Sequence, residues 1–210
     1  MALITMSREP GSGGNELARR ICKNLSYRLF ERNMMNEIAS ELGLDADETR
    51  GIGENLGDSS IFTKFIDPGY HVTKTGSWID DDYGVWADIK KKIGDLKSVQ
   101  LQADIIKAAS KKGNMVIVGR GSQAILKDVP GVFHVRIIAP PEKRAEHTAK
   151  ECGLEIGEAR KKVAERDKAS FEYVKKNYHI DPRDPMHYHL IVNTGQLSLE
   201  DAEKAIVAMV

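Results

Sequence analysis

Apolar side chains along this chain come in two rhythms. Short unbroken runs occupy residues 2–6 (ALITM), 27–30 (YRLF), 115–119 (MVIVG), 132–138 (VFHVRII) and 189–193 (HLIVN). Runs of this length without polar alternation predict strands covered on both faces. Between most of them apolar residues recur every three or four positions, the spacing of one helix face. Leu17, Ile21 and Leu25 make one stripe, and Met34, Met35, Ile38, Ala39 and Leu42 a second that ends at Gly43. Leu101, Ile105 and Ala108 make a third, closed by KKG at 111–113, and Ser198 with Asp201 opens a last helix in the manner of a capping box. Strands alternating with helices predict an α/β fold of three layers, a parallel five-stranded sheet flanked by helices.

Two segments break the alternation. Residues 44–98 hold several glycines, a DDD cluster and both tryptophans with little periodicity, which predicts an inserted subdomain. Residues 141–187 are densely charged, with Val163, Phe171, Val174 and Tyr178 at loose helical spacing and prolines at the end. An arginine-rich helical arm between the last two strands has the shape of a lid. The expected organisation is one domain over residues 1–210 carrying this insertion and this lid.

Composition narrows the class. The 31 basic and 31 acidic residues cancel, and no dense Lys/Arg block stands out, so nucleic acid is not the expected partner. No run approaches the ~20 apolar residues of a membrane span, and no basic segment leads into a signal-like apolar stretch. Cys22 and Cys152 lack metal or redox spacing and read as reduced thiols. The expectation is a soluble cytoplasmic protein, monomer or homodimer.

The chemistry concentrates after the first strand. SREPGSGGNEL (7–17) sets Gly11, Ser12, Gly13, Gly14, Asn15 and Glu16 at the start of the first helix stripe. Glycines admit an anion close to the backbone, and a helix N-terminus favours phosphate; the plain alternative is a tight strand-to-helix turn. G-x-G-x-x-G, the dinucleotide fingerprint, lacks its third glycine here. G-x-x-x-x-G-K-[ST] places Gly14 at the lysine and Asn15 at the hydroxyl position. Arg8 precedes the loop, Arg120 ends the third strand in VIVGRG (116–121), Arg144 follows the fourth in APPEKRAEH (139–147), and Arg166 and Asp167 lie in AERDK (164–168) on the arm. Guanidinium groups at sheet ends and on a lid suit phosphate oxygens; each arginine alone reads first as a solvated or salt-bridged surface residue, and it is the four together that point to phosphate.

Taken together, ITMSREPGSGGNELAR, VIVGRGSQAIL, VFHVRIIAPPEKR and YHLIVNTGQLSLEDA resemble the cytidylate kinase-like family over nearly the whole chain. The resemblance implies a nucleoside monophosphate kinase fold with an acceptor insertion and a lid. It also implies transfer of the γ-phosphoryl group of ATP, with Mg²⁺, to a small nucleotide. Gly11 to Asn15 would then cradle donor phosphates, Arg120 the acceptor phosphate and Arg166 the transferring group. Asn193, Thr194 and Gly195 would lie near the adenine. Apart from the resemblance, the position of Arg8 just before the loop is read as supplying the charge absent at Gly14. Gly121 stands where the related G-R-D motif has aspartate, and Ser170 and Tyr173 stand where cytidylate kinases read the pyrimidine. The acceptor therefore stays open, and a nucleotide-binding sensor acting through a partner is the rival reading. No magnesium ligands are identifiable. His179, His187 and His189 read as hydrogen-bonded histidines before a metal site, and WIDDDYGVW (78–86) as an acidic loop with aromatic anchors.

Overall fold

A computed structural model describes residues 3–30 and 95–210. Its strands are β1 (Leu3–Arg8), β2 (Arg28–Phe30), β3 (Met115–Val118), β4 (Val132–Ile138) and β5 (Leu190–Asn193). They form one five-stranded sheet in the order β2-β3-β1-β4-β5. β1 pairs parallel with β3, Leu3 opposite Met115, and with β4, Leu3 opposite Val132; β4 pairs parallel with β5. All five predicted strands are present, within one residue of the apolar runs except that β1 continues two residues further, to Arg8. That extension carries the arginine to the carboxyl edge of the central strand, where ligands bind in open α/β sheets.

The described helices are α1 (Gly14–Leu25), α2 (Asp95–Ser110), α3 (Ser122–Ile125), α4 (Pro141–Cys152), α5 (Ile156–Tyr178) and α6 (Leu199–Val207), with a 3₁₀ turn at Pro185–His187. α1 buries Leu17 and Ile21 of the predicted stripe with their neighbours Ala18 and Cys22, while Leu25 is only partly buried. The four buried side chains join Ile4, Met6, Val116, Val118, Val135, Ile137, Ala202 and Ile206 in one apolar core. Ser198 caps α6 as the sequence predicts, its Oγ accepting from Asp201 N at 3.1 Å. α3, a single turn, has no stripe long enough to read in advance. The charged arm is two helices, α4 and α5, packed on each other.

Contacts divide the chain into two compact units, one of Met1–Leu29 with Asn114–Val210 and one of Phe30–Gly113. In the second, α2 buries Leu101, Ile105 and Ala108, the predicted stripe, together with Ile106 and Ala109. The helix expected to end at Gly43, the segment 78–86 and the expected insertion, apart from the start of α2, lie outside the described residues. Among the described residues no helix is long and apolar enough to cross a membrane.

Candidate functional site

The segment between β1 and α1 is tied down from three sides. Glu9 N donates to Ile137 O at 3.0 Å, and both the backbone N–H and the Oγ of Ser12 donate to Glu9 O, at 3.1 and 2.7 Å. Thr194 Oγ1 reaches Ser12 O at 2.7 Å and Ile138 O at 3.1 Å. A Cβ on Gly11 would stand 2.5 Å from the Arg144 carbonyl oxygen. Gly13 caps α1 at φ 73° and, being glycine, offers no side-chain acceptor to the first-turn N–H groups. A left-handed residue at that cap is cheap only for glycine, and the N–H groups it leaves uncapped suit an anion. Thr194, expected beside the base, thus fastens the loop. Its neighbour Asn193 accepts from Gly195 N at 3.0 Å, closing the turn after β5.

Arg8 lies across this junction. A Cβ on Gly14 would meet Arg8 Cβ at 2.6 Å and Cγ at 3.0 Å, and a Cβ on Gly119 would meet Arg8 Nη1 at 2.5 Å. Midway, Arg8 Nε donates to Asn15 Oδ1 at 3.0 Å. The side chain therefore leaves β1, passes over Gly14, is held by Asn15 and ends against Gly119.

Beside it runs a network of charges that sequence reasoning did not assemble. Glu9 Oε1 is 3.3 Å from Arg136 Nη2, and Glu9 Oε2 is 3.4 Å from Arg144 Nε and accepts from Ala139 N at 3.2 Å. Arg144 also donates to the carbonyls of Ala139 and Pro10, at 3.0 and 3.3 Å, and to Asp167 Oδ1 at 2.8 Å. Only 5% of Arg144 is exposed. A guanidinium with this many acceptors, sealed from solvent, serves as a tie between the loop, α4 and α5. That differs from the expected phosphate clamp, and Asp167, expected at the acceptor, is the far end of the same tie. Glu9 stood inside the SREPGSGG stretch and was the available signal. Arg136 lay in an apolar run, where a charge reads as an interruption.

Gly119, Arg120 and Gly121 are all left-handed, at φ 73°, 61° and 70°. A Cβ on Gly121 would fall into the ring of Tyr178, the last residue of α5. Tyr178 in turn packs edge-on to Tyr173, their ring centroids 6.1 Å apart. The aspartate-to-glycine departure at 121 is thus matched by an aromatic ring over the vacated space. Arg120 sits on that turn, Arg166 half-buried on α5 and Ser170 exposed one turn further on. Glu16, expected at the phosphates, instead pairs with Arg20 at 3.0 Å and Arg19 at 3.5 Å on the outer surface of α1.

His189 Nδ1 accepts from His134 N at 2.8 Å, and its ring stacks on Phe133 and His134. His134 is buried against Thr5, Nδ1 to Oγ1 2.6 Å. Burial, and secondarily the neighbouring His189, pushes its pKa down to about 4. Both cysteines are free thiols.

Comparison with known proteins bears on the family and the fold. The chain is 34% identical over 199 residues to the cytidylate kinase of Pyrococcus horikoshii, covering 94% of this chain and 82% of that one. It is 24% identical to the cytidylate kinase of Methanopyrus kandleri, covering 99% and 92%. A uronate isomerase of Corynebacterium glutamicum matches at 32% identity over 86% of this chain, but over only 36% of that protein. Among solved structures, a protein of Eubacterium ventriosum superposes with TM-score 0.65 at 18% identity, covering 100% of this chain and 98% of that one. Shikimate kinase of Acinetobacter baumannii superposes with TM-score 0.52 at 12% identity, covering 100% and 92%, which adds the fold alone. The cytidylate kinase-like family profile matches residues 3–196, and the chain belongs to that family.

Proposed function

We propose that this protein is a phosphotransferase that moves the γ-phosphoryl group of ATP to a nucleoside monophosphate or a related small acceptor. The observation that carries this reading is the β1–α1 junction, where a helix N-terminus that Gly13 leaves without a side-chain cap and the Arg8 side chain meet at a glycine loop. Backbone N–H groups and a fixed cation suit the oxygens of a triphosphate. Gly11, Ser12, Gly13, Gly14 and Asn15 hold the donor phosphates, while Asn193 and Gly195 border the adenine. Arg120 takes the acceptor phosphate, and Arg166 meets charge that develops during transfer. Arg144 and Asp167 are positioning residues: they join the loop to the helix that carries Arg166. Phosphoryl transfer needs positioning and charge neutralisation more than covalent participation, and this set supplies both. ATP brings magnesium, which neutralises phosphate charge and would be held mainly by phosphate oxygens, since Asn15 Oδ1 already accepts from Arg8.

A sensor that binds ATP without turnover is the second reading. Gly14, Asn15 and Gly121 favour it, because they stand where related kinases carry a lysine, a hydroxyl residue and an aspartate. ADP release from ATP and Mg²⁺ across nucleoside monophosphates and nucleosides, CMP included, separates the two. Release that depends on one acceptor supports the kinase and names its substrate. ATP binding without release on any acceptor supports the sensor.

A further inference from the structure

Resting on the proposal that ATP binds at the β1–α1 loop, the geometry points to a relocated phosphate cation: Arg8 does the work of the missing loop lysine, and Gly14, Asn15 and Gly119 form its berth.

Two departures from a lysine-bearing loop, at positions 14 and 15, have one cause in this arrangement. A lysine in a phosphate loop leaves the first turn of the helix and doubles back toward the β- and γ-phosphates. Here the volume beside position 14 is filled by Cβ and Cγ of Arg8, so that any Cβ at 14 would stand 2.6 Å from the arginine stem. Arg8 and a side chain at 14 exclude each other. The hydroxyl position has become Asn15, whose Oδ1 accepts from Arg8 Nε at 3.0 Å. That contact fixes the plane of the guanidinium at its Nε. The far end lies against Gly119, where a Cβ would come within 2.5 Å of Nη1.

The origin of the side chain matters as well. Arg8 is the last residue of the central strand, paired with Ile137 of β4, so its Cα is held by the sheet. A planar fork on a fixed base loses little conformational freedom when it meets phosphate oxygens, and it offers paired donors where lysine offers a point charge. The contact would be made with the outer phosphates of a triphosphate, leaving nucleoside monophosphates outside its reach.

The test is calorimetric titration of the purified full chain with ATP, AMP and inorganic tripolyphosphate, run beside ADP release. Arg8→Met keeps the stem over Gly14 and removes the charge. It should weaken ATP and tripolyphosphate roughly 10- to 100-fold, the range for a charge-assisted hydrogen bond, and leave AMP within about twofold. Gly14→Lys alone should lower the melting temperature through the clash with Arg8. Arg8→Gly with Gly14→Lys returns the cation to the loop and should bind ATP more tightly than Arg8→Gly by about tenfold. The deletion goes to glycine because alanine would keep the offending Cβ.

Unchanged ATP affinity in folded Arg8→Met overturns the assignment, and that single variant decides if the exchange pair does not fold. An exchange pair that folds but binds no tighter than Arg8→Gly also overturns it. ADP release in the wild type with unaltered affinity in Arg8→Met sinks the Arg8 role and leaves the kinase reading standing. Arg8-dependent affinity with no release on any acceptor does the reverse. Failure of the wild type to bind either ATP or tripolyphosphate removes both.

Discussion

Replacing Glu9 with glutamine tests whether the charge network, and not the loop sequence alone, holds the phosphate loop in shape. The carboxylate accepts from Ala139 N and faces two guanidinium groups at 3.3 and 3.4 Å, whose side chains are 10% and 6% exposed. An amide of the same shape loses the charge and turns one acceptor into a donor aimed at donors. Removing one partner of a buried ion pair costs about 3–5 kcal/mol. Arg144 keeps Asp167 at 2.8 Å, Arg136 keeps Ser7 Oγ at 3.4 Å, and Glu9 itself is 25% exposed. These compensations bring the expected loss for Glu9→Gln to about 2–3 kcal/mol. Urea unfolding followed by far-UV circular dichroism should show the midpoint falling at constant slope, and the melting temperature should drop by about 4–12 °C. Glu200→Gln is the control: its partner Lys204, at 2.6 Å, belongs to a pair 66% and 68% exposed, so the change should stay within about 0.5 kcal/mol. A Glu9→Gln effect no larger than that control would refute the claim that the network carries the loop.

Other predictions concern single contacts. His134, with its pKa lowered to about 4, stays neutral in the folded chain while the unfolded imidazole takes a proton near 6.5. Its contribution is therefore complete above pH 6.5 and is lost as pH falls to about 4, by up to roughly 3 kcal/mol. His134→Gln should flatten the stability–pH slope in that window, and an unchanged slope would count against the burial argument. Gly121→Ala should cost about 2 kcal/mol or more, from φ 70° and the clash with Tyr178. Tyr178→Ala should relieve only the steric part, as a double-mutant cycle in melting temperature would reveal. Arg166→Ala should lower kcat at least tenfold with ATP affinity unchanged, since its contact strengthens in the transition state. Matching losses of rate and affinity would place Arg166 in the ground-state site instead.

The sheet could be read from the sequence because its central strands, β1, β3 and β4, are largely covered on both faces, so burial is written locally as unbroken apolar runs. The loop could be read because glycines cluster between such a run and a helix stripe. Neither signal depends on distant residues; the family itself was legible as a resemblance of four longer stretches, and the family profile matches residues 3–196. The side-chain roles were of another kind. Arg144 sat in the right place for a phosphate clamp, yet it is closed off by Glu9 and by Asp167, which lie 135 and 23 residues away in the chain. Gly14 looked like a lost lysine, and only the course of Arg8 over it gives the glycine a steric reason. Gly121 looked like a lost aspartate until the end of α5 brought Tyr178 onto it. Periodicity records which side chains leave water, whereas strand order and helix packing decide which of them meet. In this protein the sequence alone marked the glycine loop ahead of α1 as the candidate site, because that signal is local, and the tertiary structure decided which arginines pack against it.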